Sequence, residues 1–401
     1  MYKKIKRLSA LPALLLLITS YPFVCSGNEI KVSANIFNNL TFEQKNNWIG
    51  VSFLYDVIQS LQKIKGVQVI YNERLNGLYG NRQYDFQDLS NDKDAVKAVK
   101  AQGAQYLVVG NFQILDGDII AYYRLLDVYS GDTVFTGFVK GYPEQLAAVE
   151  ENVGKKIIES FKTSFSGLII VPGLLAKPGS RAVHENYAKG LTCSLKSESK
   201  NAIDCFQKVI DESVDFAPAY LGQGSAYLEE GNILMALERL NKALPIYQEN
   251  RDHFFVYLTY YKIAEAYFLQ GTLANAEDYY KKALNIKIEM KHDMHLPLIY
   301  SRLSEIALKN GDMKKAVSCA EKAIKENTAT GDKASQVNYL VNLARLYMDS
   351  GSLDKAGKTY DIAINTVKQI NYPEKYMLDK FYLDLQSKRQ AYLLQQHKTI
   401  K

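Results

Sequence analysis

Four glycines, Gly231, Gly271, Gly311 and Gly351, recur at intervals of forty residues. Five residues after each stands an alanine, Ala236, Ala276, Ala316 and Ala356. Seven further on stands another, Ala243, Ala283, Ala323 and Ala363. Between the two alanines lie Leu240, Tyr280, Ala320 and Tyr360, and four residues before each glycine lie Tyr227, Tyr267, Ala307 and Tyr347. Five positions in register over four copies constrain the fold more than any other feature of the chain. A unit of this length that repeats cannot bury its apolar face alone, so neighbouring units must stack into a solenoid. The small residue lets two helices approach, the residue four later fills the groove beside it, and the glycine sits in the turn between helices.

The alanine, the large residue four later and the downstream alanine resemble the tetratricopeptide signature. A degenerate earlier copy places Gly190, Ala202 and Phe206 in equivalent positions, 34 residues before the next in its alanine spacing. The longer period of the later copies implies helices extended by about a turn and a half in all. The resemblance implies that the first helix of each pair lines a concave face, with Tyr261, Glu265, Phe268, Arg302, Glu305, Asn342 and Arg345 pointing into it. Acids, bases and aromatics together suit an extended peptide or protein segment. Leu221 and Ser225 occupy positions where the family's carboxylate-clamp variants carry polar residues, which disfavours a receptor for a terminal carboxylate.

Ahead of the repeats the periodicity changes. Glu29–Ile36 predicts a strand, and Leu54, Val57, Ile58, Leu61 and Ile64 form a helical stripe closed by Gly66. Val67–Tyr71 is β-rich, and residues 92–102 predict a short helix before Gly103. The β-rich runs 105–115 and 118–128 flank Asp116-Gly117, a hairpin signal. A second turn at Ser130-Gly131 leads into Thr133–Val139, and Leu146, Val149, Val153, Ile157 and Phe161 stripe a closing helix. Residues 168–171 are expected to add a strand to this sheet. The order, together with Phe37-Asn38-Asn39-Leu40-Thr41, the Gly103–Gly110 step and Leu126-Asp127-Val128-Tyr129-Ser130-Gly131, resembles the amino-terminal domain of the TolB family. That resemblance implies a helix-covered sheet and supplies no catalytic residues.

The net charge of +6 is misleading, because Lys3, Lys4, Lys6 and Arg7 fall within the first seven residues and the first 27 contain no acid. The remainder is close to neutral, so charge makes no case for nucleic acid. The basic start, the apolar run from Ala10 to Ile18 and the small residues Ser26 and Gly27 form the three parts of a secretory signal. The run is far short of the ~20 apolar residues that span a bilayer. Cleavage near Cys25 is the expected fate, with a lipid on Cys25 and an uncleaved anchor left open. The remaining cysteines, Cys193, Cys205 and Cys319, are odd in number and widely spaced, which is no disulfide framework. Cys193 and Cys205 lie where they can face each other across one hairpin, although small buried residues are the expected reading.

The expected class is α+β: a small sandwich-like α/β N-terminal domain followed by an all-α tetratricopeptide solenoid. The boundaries are 1–27 for the signal peptide, 28–166 for the TolB-like domain, 167–181 for a Pro- and Gly-rich linker, 182–372 for five hairpins and 373–401 for a capping helix. Catalytic, cofactor and metal sites are not expected. Gly351–Thr359 has one residue too many between its glycines for a phosphate loop. His292 and His295 lack the further ligands of a zinc site. The expectation is an exported, envelope-associated scaffold binding a protein or peptide, with peripheral outer-membrane association compatible. The alternative is an accessory part of an outer-membrane secretion or surface-organelle apparatus.

Overall fold

The computed structural model describes residues 29–41, 43–70, 103–170, 180–289, 296–330 and 333–369, with a few isolated positions beside them. The expected signal, most of the 92–102 helix, the center of the linker, His292 and His295, and nearly all of the capping helix lie outside the described residues.

The N-terminal part is built on strands β1 (Ile30–Ala34), β2 (Asn38–Asn39), β3 (Ile64–Lys65), β4 (Val67–Val69), β5 (Tyr106–Leu115), β6 (Asp118–Asp127), β7 (Thr133–Gly141) and β8 (Ile169–Ile170). The main sheet runs β4-β1-β5-β6-β7, with β2 added alongside β5. The first strands pair in parallel, and β5, β6 and β7 form an antiparallel meander. Asp116 and Gly117 both have positive φ at the β5–β6 turn, which is the backbone a two-residue hairpin requires. The strand expected after residue 167 does form, but on a different partner. β8 pairs antiparallel with β3 in a separate two-stranded sheet.

Helices α1 (Asn47–Gln62) and α2 (Leu146–Ser164) pack together over one face of the main sheet. Alternation along β5 divides its side chains. Val108 and Phe112 join the core under these helices, while Leu107 and Val109 join a smaller cluster on the other face with Val99, Leu126 and Val128. The Phe37 ring lies against Gly110, where a Cβ would come within 2.2 Å of it. That contact packs together two of the short motifs picked out in the sequence.

The C-terminal part is helical. Helices α3 (Arg181–Leu195) and α4 (Ser199–Glu212) form the first hairpin, α5 (Ala217–Glu229) and α6 (Ile233–Glu249) the second, and α7 (His253–Gln270) and α8 (Leu273–Glu289) the third. The fourth is α9 (Leu296–Lys309) with α10 (Met313–Thr330), and the fifth is α11 (Lys333–Asp349) with α12 (Leu353–Lys368). Their principal contacts run to the partner helix and to the next hairpin in sequence, the one-dimensional arrangement of a solenoid.

One turn recurs at the forty-residue period. Gly231, Gly271, Gly311 and Gly351 have φ between 74° and 85°, a region glycine enters without a Cβ penalty. The amide after each glycine donates to the carbonyl of the residue four before it, at Tyr227, Tyr267, Ala307 and Tyr347. This closes the preceding helix as a Schellman turn. The residue after the glycine opens the next helix, and Asn232 and Asp312 cap it by accepting from Met235 and Lys315 amides at 3.2 and 2.9 Å. The alanines Ala236, Ala276, Ala316 and Ala356 are fully buried. The side chains at Leu240, Tyr280 and Tyr360 are buried beside them. Among the described residues no helix is long and apolar enough to cross a membrane.

Candidate partner-binding groove

The inner helices α3, α5 and α7 face back toward α1 of the N-terminal part and line with it a half-open cavity of about 450 Å³. Leu54, Tyr55 and Ile58 supply one wall. Tyr187 and Leu191 on α3, Leu221 and Ser225 on α5, and Phe254, Leu258 and Tyr261 on α7 supply the other. The walls meet where Tyr55 and Tyr187 pack edge to face with ring centroids 5.1 Å apart. Burial raises the Tyr55 and Tyr187 phenols well above the ordinary tyrosine range; the Tyr187 contact raises Tyr55 further, while for Tyr187 the Tyr247 charge adds to the rise and the hydrogen bond with Tyr55 opposes it. Burial does the same to Tyr247, so the hydroxyls are neutral here. Tyr247 borders the cavity, and its buried hydroxyl makes no hydrogen bond among the described residues. Such a group costs about 1–3 kcal/mol relative to a satisfied one.

Charge gathers at the α7 end of the cavity. Glu265 lies on its wall and receives Arg302 from the next hairpin through Nε at 2.9 Å and Nη2 at 3.2 Å. The Tyr280 hydroxyl also donates to Glu265. Arg302 reaches Glu305 at 3.2 Å and lies over the Phe268 ring, 5.1 Å from its centroid. Burial acts to lower the Arg302 pKa, but the attraction of Glu265 outweighs it and the guanidinium is held more firmly charged. Burial raises Tyr280, and the Glu265 charge raises it further. A two-pronged arginine–carboxylate pair bridging consecutive repeats fixes the spacing between α7 and α9.

Of the residues expected in the groove, Tyr261 and Glu265 line the cavity. Phe268, Arg302 and Glu305 continue from Glu265 as one contact network. Asn342 and Arg345 are exposed on α11, two hairpins further along, and do not border the cavity. Sequence reasoning missed the α1 wall and the apolar residues of α3 and α7. A partial signal was Leu221 and Ser225, apolar or small where polar clamp residues were sought; both line the cavity.

A second polar grouping lies nearby. Ser52 Oγ and Glu150 Oε2 stand 2.8 and 2.5 Å from the same nitrogen, Nε2 of His184. Because both approach one nitrogen, the imidazole cannot relay a proton from the serine to the carboxylate as a hydrolytic triad does.

Two family models, each described as tetratricopeptide repeat, match residues 215–289 and 302–373. The helical stack therefore carries tetratricopeptide repeats. Several solved structures are similar at low identity. BtubC (BKLC) from P. vanneervenii is 18% identical, with a TM-score of 0.44, 48% of this chain and 85% of that chain covered. The apo quorum sensor NprR from B. thuringiensis is 18% identical with a TM-score of 0.45, covering 60% of this chain and 65% of that one. A Rap protein, solved in complex with Competence and Sporulation Factor, is 18% identical with a TM-score of 0.41, covering 58% and 61%. No curated protein matches the chain.

Proposed function

We propose that this chain is a non-enzymatic adaptor that holds an extended peptide or protein segment between α1 and the inner helices of its repeats. The observation that carries the reading is the cavity: apolar and aromatic walls from two parts of the chain, with Tyr247, whose hydroxyl has no partner among the described residues, in its lining and Glu265–Arg302 at one end. Tetratricopeptide repeats commonly mediate protein interactions, and an extended segment places alternate side chains into such pockets. Large apolar side chains would enter the cavity, while a polar group of the segment would satisfy Tyr247. Peptides selected on the full chain from a random displayed library should carry at least two large apolar residues. Leu258→Glu, with its fold checked by circular dichroism, should weaken their binding by about tenfold or more. Equal binding by both proteins would contradict the site.

The adaptor is read as exported and envelope-associated on the basic, apolar and small-residue segments of residues 1–27. The N-terminal part is read as TolB-like on its motifs and on the Phe37–Gly110 packing that joins two of them. Fractionation of the native cell should recover the protein with the envelope. Recovery with the cytoplasmic contents would contradict the export reading.

A further inference from the structure

Where the N-terminal part meets the first hairpin, four polar side chains converge inside apolar packing. Ser52 and Asp56 stand one turn apart on α1, Glu150 comes from α2 and His184 from α3. Glu150 is 0% exposed, Ser52 3% and His184 7%. One ligand atom from each of Asp56, Glu150 and His184 lies within 4.8 Å of the others. Gly154 lets the two acid-bearing helices close on each other, since a Cβ there would stand 2.1 Å from Ser60 Oγ of α1.

No Lys or Arg among the described residues pairs with Glu150. Among the described residues neither Glu150 oxygen makes a hydrogen bond of normal geometry, although Oε2 lies 2.5 Å from His184 Nε2. Burial pushes the Glu150 carboxyl up to about 8, against the opposing influence of Ser52 and Asp56. Burial lowers His184, with the Asp56 charge opposing. A buried carboxylate, a second carboxylate and an imidazole nitrogen converging on one point are donors of the types a divalent transition-type ion takes.

We propose that Asp56, Glu150 and His184, with the Ser52 hydroxyl beside them, bind one divalent ion of the zinc class. Zinc takes imidazole nitrogen at about 2.0–2.1 Å and carboxylate oxygen at about 2.0–2.2 Å, in a tetrahedron that places its ligands a little over 3 Å apart. The donors already lie within that range of adjustment. An imidazole in the set disfavours magnesium and calcium, which prefer oxygen throughout. Nδ1 of His184 has no hydrogen-bond partner among the described residues, and an unsupported second nitrogen typically costs 10–100-fold in affinity. The ion is therefore bound moderately, as suits a clamp between two parts of the chain. Tyr55 and Tyr187, which form the cavity's junction, lie next to Asp56 and one turn from His184, so the ion would fix the wall of the groove. The sequence offered no metal spacing because the ligands come from three helices, with Ser52 and His184 separated by 132 positions.

The test uses the full chain, stripped with a chelator and titrated with Zn²⁺ against a chromogenic zinc indicator, with thermal unfolding followed in parallel. One tightest Zn²⁺ per chain and a raised Tm are expected, with no rise for Mg²⁺. Glu150→Gln and His184→Gln should each lose about tenfold or more in affinity, while the surface change Glu238→Gln should bind as the parent does. Cobalt substitution of the parent protein should give the visible absorption of a four-coordinate site, which keeps the test open if a variant fails to fold. No stoichiometric Zn²⁺ on the parent would overturn the proposal. So would unchanged affinity in both folded variants, which would place the ion at other residues such as Cys193 and Cys205, and so would a six-coordinate cobalt spectrum.

Discussion

At the residue scale the repeat is a packing code. Ala276 is fully buried where α8 meets α7, and Tyr280 fills the space one turn on, its hydroxyl directed to Glu265. Ala276→Leu would add three carbons to a site with no room for them. The expected loss is about 1–3 kcal/mol, read as a lower denaturant midpoint; an unchanged midpoint would contradict the close approach. Such residues were legible because the same constraint recurs at each copy, so Ala236 and Ala316 report on Ala276. The Glu265–Arg302 pair was legible only as two residues on the inner faces of successive hairpins. That they meet as a two-pronged contact depends on the spacing of the hairpins, which no single repeat encodes.

At the scale of the element, each turn closes one helix and opens the next with a glycine and one polar residue, and this too could be read directly. The first hairpin departs from the pattern. Its thiols Cys193 and Cys205 are both partly exposed and interact across the hairpin. The hydrogen bond from Cys193 holds the Cys205 thiol below its ordinary range, aided by Lys208 and Lys189 against burial. The same contact, with burial, raises Cys193. A lowered pKa means that the thiolate is present at lower pH, and the thiolate is the form that reacts. Iodoacetamide near neutral pH should therefore label Cys205 ahead of Cys193, and the Cys205 rate should reach its plateau at a lower pH than that of a free thiol. Equal labelling at every pH would contradict the pairing. The short strand β8 was also legible as a strand, but its partner was not. Ile169 and Ile170 pair with β3 because the chain leaving α2 returns to the end of α1 and not to the edge of the main sheet.

At the scale of the whole molecule, the decisive surface lies between parts of the chain that the sequence shows as separate. Periodicity identifies the inner helices and the sheet, since each is a local pattern. It carries no sign that α1 lies against α3, or that Tyr55 meets Tyr187 and Ser52 meets His184. Those contacts depend on how the first hairpin sits on the N-terminal part, and that is set by shape complementarity among side chains with no repeat to advertise it. On the proposed function, one bound segment touches both parts at once. Hydrogen–deuterium exchange of the full chain, with and without a selected peptide, decides whether it does. Added protection is expected in residues 47–62 together with residues 253–270. Protection confined to the fourth and fifth hairpins, with none in residues 47–62, would contradict it.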